Sequence, residues 1–202
     1  MKVTKAQAQA NRAHIVETAS TLFRERGYDG IGVADLMAEA GFTHGGFYKH
    51  FRSKADLMVE SAACGLAQTA ELSAGSDISA LVRGYLSREH RDARSTGCTI
   101  AALSGDAARQ PQAVRAAFAA GIENVLAALS QANTMSDAPD ANAVRSHYLD
   151  ILAHALGAIV MSRACPDDSP LADEILMVCR DKILASLNTA DPEDASANEH
   201  NG

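Results

Sequence analysis

The residues best suited to bind another molecule lie in one short segment, THGGFYKHFRSK, at positions 43–54. The segment supplies two histidines, one tyrosine and three cations, and no acidic residue occurs between Glu39 and Asp56. Cations neutralise phosphates, and tyrosine or histidine can hydrogen-bond to phosphate oxygens. This composition favours a surface that faces nucleic acid, although a solvated basic turn would have the same composition. The choice between these two interpretations depends on the neighbouring elements.

Those neighbouring elements form a helix-turn-helix pattern. A first helix is expected over about 8–26, because Ile15, Ala19 and Phe23 recur on one face. A second, short helix is expected over about 33–40, and a third over about 43–51, with Thr43 as its N-cap. The third helix of such a unit enters the major groove, where its N-terminal residues meet base edges.

Two adjacent glycines, Gly45 and Gly46, stand at the start of the third helix. Each glycine destabilises a helix by about 1 kcal/mol relative to Ala. Without a Cβ, however, a glycine lets the backbone approach another surface closely. We therefore predict that this helix start is kept bare so that it can lie against the groove.

The rest of the chain is expected to be helical throughout, which makes the fold class all-α. Residues 1–53 are predicted to be a helix-turn-helix DNA-binding domain, residues 54–187 a helical domain, and residues 188–202 a disordered acidic tail. Helices are expected at about 54–72, 78–93, 99–109, 111–132, 143–164 and 171–187, with loops between them, among them one at 133–142.

The stretch GYDGIGVADLMAEAGFTHGGFYKHFRSKADL resembles the DNA-binding signature of TetR-family transcriptional regulators. GCTIAALSGDAA, at 97–108, is similar to one subgroup of that family. The resemblance implies a two-fold dimer that binds an operator in double-stranded DNA. It also implies that residues 54–187 form a helical ligand-binding and dimerisation domain. A small ligand in this domain would release the DNA-binding domain, with repression as the default outcome.

The family's DNA-contacting positions fall on residues of the same segment. The start of the recognition helix matches base- or phosphate-contacting positions, Tyr48 and His50 match phosphate-binding positions, and Lys54 matches the lysine that opens the fourth helix. Two departures weaken contacts from the second helix: Gly32 replaces a capping Ser or Thr, and Ala34 replaces a base-reading Arg. The implied DNA-binding residues are Thr43, His44, Gly45, Gly46, Tyr48, Lys49, His50 and Lys54.

Residues of the middle helices that are expected to face inward are mostly apolar, as in small-molecule cavities, which favours a small apolar or aromatic effector. Small and apolar residues in the last two helices, among them Ala153, Gly157 and Val178, predict a dimer interface, with an internal core as the alternative. The candidate ligand-binding residues are Leu66, Leu81, Tyr85, Cys98, Leu103, Phe118, Ile122, His147, Ile151 and His154.

Cys98 supports an alternative function, because a thiol near a helix start and near cations can be reactive. The chain would then be a thiol- or electrophile-sensing regulator. A third possibility is a helical small-molecule binding protein without a DNA function. For Cys98 itself, the competing interpretation is a small buried residue between helices.

Other functional classes are not supported by the sequence. No enzyme signature is present, and His147 and His154 are too few ligands for a metal site, so neither a metal nor a cofactor is expected. The net charge of −7 argues against a protein that coats nucleic acid over its whole surface. No apolar run suggests a membrane span or signal peptide, and the four cysteines form no closely spaced pair, so a cytoplasmic protein with free thiols is expected.

Overall fold

The computed structural model describes residues 4–132 and 140–188, and every regular element in these ranges is helical. The all-α prediction is confirmed. The acidic tail, from residue 189 onward, and the loop over 133–139 lie outside the described residues. The elements are α1 (Lys5–Arg26), α2 (Val33–Glu39), a 3₁₀ helix (His44–Lys49), α3 (Lys54–Ser73), α4 (Ile78–Tyr85), α5 (Arg88–Asp92), α6 (Thr99–Ala107), α7 (Gln112–Ala132), α8 (Ala141–Ala164) and α9 (Pro170–Asn188).

Contacts divide the chain into two compact units. The first unit comprises residues 1–75 and 93–136, and therefore contains α1 to α3, the 3₁₀ helix, α6 and α7. The second unit comprises residues 76–92 and 137–202, with α4, α5, α8 and α9. The functional boundary at residue 54 stays a prediction.

In the first unit, α1 begins and ends with local capping interactions. The Thr4 hydroxyl accepts a hydrogen bond from the Gln7 N–H at 3.2 Å, which stabilises the first turn. Gly27 has a φ of 76° and donates its N–H to the Phe23 carbonyl, 2.8 Å away. Because this φ is readily adopted only by glycine, the expected helix end at Gly27 is confirmed.

Helices α3 and α7 approach closely because a glycine lies at their contact. A Cβ at position 121 would lie 2.7 Å from the Cβ of Leu66, which is closer than two non-bonded carbon atoms can approach. The same face of α7 buries Val114, Phe118 and Val125. This α3–α7 contact forms much of the apolar core of the first unit.

By length and composition alone, residues 112–131 of α7 could cross a membrane, contrary to the sequence-based expectation. A core helix of a soluble protein meets the same criteria. The helix carries Arg115 and Glu123 on exposed positions and buries Val114 and Phe118. This one-sided burial is typical of a packed amphipathic helix rather than of a helix surrounded by lipid.

In the second unit, the predicted single helix over 78–93 is wrong, because two helices occupy that range. The backbone leaves helical geometry at Leu86, whose φ and ψ are −92° and 45°. The Ser87 hydroxyl donates to the Gly84 carbonyl at 2.8 Å and accepts from the His90 N–H at 3.1 Å. This side chain thus offers the backbone alternative hydrogen bonds, as serine does at helix starts.

A buried arginine ties α5 to the end of α8. The Arg91 side chain is only 1% exposed, and its Nε donates to the Ser162 hydroxyl at 3.0 Å. Its two terminal nitrogens donate to Asp167 Oδ1 and to the Cys165 carbonyl, at 3.0 and 3.1 Å. Because a buried guanidinium needs such partners, this cluster fixes the chain that leaves α8.

Gly121→Ala is expected to destabilise the protein by about 1–3 kcal/mol, because the added methyl group overlaps Leu66 in a filled core. Urea denaturation monitored by circular dichroism would measure the change in the free energy of unfolding. Gly105→Ala is the matched control, since a Cβ at this helical position meets no atom within 4 Å. Equal stabilities of the two variants would contradict the close α3–α7 packing.

Candidate nucleic-acid interface

The segment expected to read DNA forms a 3₁₀ helix, His44–Lys49, which lies within the short helix predicted over about 43–51. Its hydrogen bonds run from Gly46 N–H to the Thr43 carbonyl and from His50 N–H to the Phe47 carbonyl, both at 2.9 Å. The Thr43 side chain makes no capping hydrogen bond. Two glycines and a missing cap favour this tighter, weaker helix, because 3₁₀ geometry is common in short pieces.

Two aromatic side chains anchor this 3₁₀ helix in the first unit. Phe47 and Phe51 are 1% and 3% exposed, and their ring centroids are 5.4 Å apart. With these residues buried, the opposite surface of the segment is free for a ligand, and Tyr48 is 66% exposed. The exposed residues of the predicted site are Thr43, His44, Gly45, Tyr48 and Lys49.

Neither glycine of the segment has a positive φ, so backbone strain does not explain them. A Cβ at Gly45 would meet no atom within 4 Å. A Cβ at Gly46 would lie in ordinary van der Waals contact, 3.5 Å from Thr43 Oγ1 and 3.7 Å from Met37 Cε. The fold itself therefore does not require glycine at position 45.

His50 closes the segment and belongs to a small aromatic cluster on the surface of the first unit. The ring of Phe42 lies between His14 and His50, with centroid distances of 6.2 and 6.5 Å. His50 is half-buried, unlike the exposed His44. This position is compatible with the predicted phosphate contact, and the contact with Phe42 restricts the orientation of the His50 ring.

Arg12 is an important residue that the sequence analysis did not single out. Its guanidinium binds the Glu60 carboxylate through two nitrogens, with Nε 3.1 Å from Oε2. The third nitrogen donates to the His50 carbonyl, and the guanidinium carbon lies 4.3 Å from the centroid of the Phe51 ring. Sequence patterns do not reveal such a contact, because Arg12 and Glu60 are 48 residues apart.

Lys54 is less available than the sequence-based expectation assumed. Its ammonium group donates to the Tyr28 carbonyl and lies 5.9 Å from the centroid of the Phe23 ring. The Tyr28 N–H donates to Asp106 Oδ2 of α6 at 3.0 Å. A phosphate at Lys54 would therefore have to share or replace a hydrogen bond within the protein.

The helix starts beside the segment are capped differently. At α3, the Ser53 hydroxyl accepts from the Asp56 N–H at 3.1 Å, and Asp56 Oδ2 accepts from the Arg52 N–H at 3.1 Å. The two side chains thus resemble a capping box in which Asp56 reaches back to Arg52, the residue before the N-cap. At α2, Gly32 provides no side-chain cap, as its residue type implies.

The candidate ligand-binding residues are divided between the two units, five in each. In the first unit, Leu66, Cys98, Leu103 and Phe118 are buried and Ile122 is half-buried. In the second unit, Ile151 is buried, and Leu81, Tyr85 and His147 are half-buried. His154 is exposed, whereas the sequence predicted an inward-facing side chain; it shares its face of α8 with the exposed Gly157.

Cys98 is buried at the N-cap position of α6, with 6% of its surface exposed. The buried Arg24 guanidinium donates to the Thr99 hydroxyl at 3.3 Å and to the Ser20 hydroxyl at 2.9 Å. Burial lowers the pKa of Arg24, and the neighbouring Cys98 and Cys64 partly oppose that shift. Cys98 therefore lies beside a cation, but inside the first unit.

Comparison with known proteins agrees with this geometry. Residues 15–60 match the family described as bacterial regulatory proteins, tetR family. The HTH-type transcriptional regulator AcrR of Shigella flexneri is 39% identical over 57 residues, which are 28% of this chain and 26% of AcrR. This match thus spans about a quarter of AcrR, and the family match at residues 15–60 covers the helix-turn-helix region.

Two comparisons extend beyond that region. The HTH-type transcriptional repressor NemR of Escherichia coli (strain K12) is 28% identical over 131 residues, covering 60% of this chain and 66% of NemR. The crystal structure of the reduced form of E. coli NemR superimposes with a TM-score of 0.70 at 22% identity, covering 86% of this chain and 95% of that one. At this identity the structural likeness shows a shared all-helical fold.

Lys54→Ala is expected to lower the free energy of unfolding by about 1–2 kcal/mol even without DNA, because the Tyr28 carbonyl loses its charged donor. Urea denaturation of the free protein would measure this effect. Lys49→Ala serves as the control, since Lys49 is exposed and should stay within about 0.5 kcal/mol of the wild type. A Lys54 variant as stable as the Lys49 variant would show that the Tyr28 contact contributes nothing.

Proposed function

We propose that this chain, which belongs to the TetR family of bacterial regulatory proteins, is a homodimeric DNA-binding transcriptional regulator. Its matched relatives are named transcriptional regulators, which places the chain among regulators rather than enzymes. We further propose that it represses transcription from an operator in the cytoplasm, as the name repressor states for the NemR relative. A small apolar or aromatic effector would release it.

The observation that carries the proposal is the exposed, acid-free 3₁₀ helix with an open position at Gly45. The exposed His44 and Lys49 can reach base edges or phosphates, and Tyr48 offers a hydroxyl to a phosphate. His50 and Lys54 would complete the phosphate contacts at the end of the segment. Gly45 and Gly46 would lie against the groove, where a larger side chain would hold the backbone away.

Dimerisation is supported by the surfaces of α8 and α9. Both helices expose apolar side chains, for example Val160 and Met161, which are 50% and 59% exposed. Ala153 and Gly157 lie exposed on the same helix, whereas Ala155 and Ala158, also predicted at the interface, are buried in the unit. The remaining exposed apolar residues of the two helices are Leu149, Leu171, Met177 and Val178.

Release by an effector would follow from two states of the dimer. A ligand that binds more tightly to the state with unsuitable spacing of the two DNA-binding domains shifts the population away from DNA. The spacing that permits binding would place two half-sites about 34–36 Å apart, or a multiple of that distance. The apolar candidates of the first unit, Leu66, Leu103 and Phe118, would contribute to the effector site.

Gly45→Leu is expected to remove operator recognition while leaving the fold intact, because a Cβ at position 45 meets no atom of the protein within 4 Å. At the proposed groove contact, the leucine side chain would hold the backbone away from the DNA. Affinity for the operator should fall to the level of non-specific binding, a loss of about 1,000-fold or more. Mobility shifts with DNA selected from a random duplex library, and with DNA flanking the gene, would measure it. Gly105→Leu is the control, at another open glycine.

Two results of that experiment would contradict the proposal in different ways. If the wild-type protein selects no sequence from the library at low salt, the chain is not a sequence-specific DNA-binding protein. If the wild type selects an operator and Gly45→Leu binds it equally well, DNA recognition remains but the glycines do not lie at the groove.

Gly157→Leu is expected to convert the dimer to a monomer at micromolar concentration. A Cβ at this exposed glycine meets no atom of another element within 4 Å, and a leucine side chain there would hold a partner helix away. Sedimentation velocity would report the mass, and circular dichroism would confirm that helix content is retained. Gly84→Leu, on α4, is the matched control at an exposed glycine. A dimeric Gly157→Leu protein, or a monomeric wild type, would contradict this interface.

A further inference from the structure

We propose that Arg12 is the positioning residue that holds the C-terminal end of the 3₁₀ helix in its DNA-binding conformation, with Glu60 orienting its guanidinium. This inference rests on the proposed DNA-binding function. It assigns Arg12 no direct contact with DNA, and it adds two residues, on α1 and α3, to those that determine recognition.

The 3₁₀ helix needs a contact of this kind because it holds itself together poorly. It has six residues and two of them are glycines. Such short helices have unfavourable hydrogen-bond geometry and lose additional stability through glycine. The carbonyl groups at the end of any helix also lack partners within the helix, so they must find them elsewhere.

Arg12 supplies the missing partner. Its guanidinium donates to the carbonyl of His50, the residue that caps the 3₁₀ helix, and lies over the Phe51 ring at 4.3 Å from the centroid. A cation at a helix C-terminus is also favoured by the helix dipole. Among the residues that the structure describes, no other helix donates a hydrogen bond to residues 43–51.

Glu60 fixes the orientation of that guanidinium. The carboxylate binds two of its nitrogens, with a distance of 3.1 Å between Nε and Oε2, and leaves the third nitrogen directed at His50. Such fork-like pairs restrict geometry more strongly than a single ion pair. The two side chains are 37% and 38% exposed, so the pair is not a fully solvated one.

A direct contact between Arg12 and phosphate is the competing explanation, and the two make opposite predictions for Glu60→Gln. If Arg12 contacted phosphate, removing a neighbouring negative charge would strengthen DNA binding. If Arg12 positions the helix, Glu60→Gln weakens binding, because the guanidinium loses its orientation. The salt dependence separates them too: loss of a phosphate contact reduces the slope by about 0.9, whereas loss of positioning leaves it unchanged.

The experiment compares wild type, Arg12→Gln, Glu60→Gln and Arg12→Lys as full-length proteins. Hydrogen exchange of the free proteins should accelerate by about tenfold at the His50 and Phe51 amides in the first two variants, as expected for a lost charge-assisted hydrogen bond. Fluorescence anisotropy with the selected operator should show about tenfold weaker binding, with non-specific binding and the salt slope retained. Arg12→Lys should restore binding only in part.

Arg26→Gln is the matched control, because Arg26 is on the same helix and, within residues 4–132 and 140–188, its one ion pair is with the adjacent Glu25, at 3.6 Å. Unchanged exchange at His50 and Phe51 in Arg12→Gln would overturn the proposal, whatever the DNA result. Faster exchange with wild-type operator affinity would overturn the positioning role. Faster exchange spread over all of α1 to α3 would identify a purely structural residue. A wild type that selects no operator would contradict the proposed function alone, and the exchange rates would still decide whether Arg12 holds this helix.

Discussion

The candidate interface depends on the contacts that hold a weak 3₁₀ helix in place on the first unit. The segment His44–Lys49 has two glycines, an uncapped start and 3₁₀ hydrogen bonds, so its own backbone specifies its conformation poorly. Burial of Phe47 and Phe51 provides most of the anchoring, since burying an aromatic side chain of this kind stabilises by about 1.5–3 kcal/mol. The polar contact from Arg12 then fixes the end of the segment.

The residues that anchor the segment differ from the residues that are exposed for recognition. The anchored residues point into the first unit, while His44, Tyr48 and Lys49 remain exposed. An exposed segment without acidic residues can therefore present cations and a bare backbone to a polyanion, although the chain as a whole has a net charge of −7. Because the buried aromatic side chains hold the segment in place, its exposed side can keep residues, such as the two glycines, that would destabilise an isolated helix.

The same first unit links the recognition segment to α6 through specific polar contacts. Asp106 of α6 accepts a hydrogen bond from the Tyr28 N–H, and the Tyr28 carbonyl accepts one from the Lys54 ammonium group. Tyr28 itself is fully buried, and burial raises the pKa of its phenol well above the ordinary value. At the other end of α6, Arg24 binds Thr99 and the Ser95 carbonyl. The C-terminal turn of α6 is thus bound to Tyr28, the residue after the C-cap of α1, and its N-terminal turn is bound to Arg24 of α1.

The sequence by itself determined the all-helical class, the helix end at Gly27 and the acid-free segment. These features are local: apolar spacing, glycine and charge act over a few residues, and the chain's neighbours in sequence are their neighbours in space. The apolar spacing did not specify the 3₁₀ form of the recognition segment or the break in 78–93, which rest on local glycines and on the hydrogen bonds of Ser87. Only the tertiary structure decided that Arg12, Glu60 and Asp106 support the site, because their contacts join residues 38 to 78 positions apart, which no local pattern encodes.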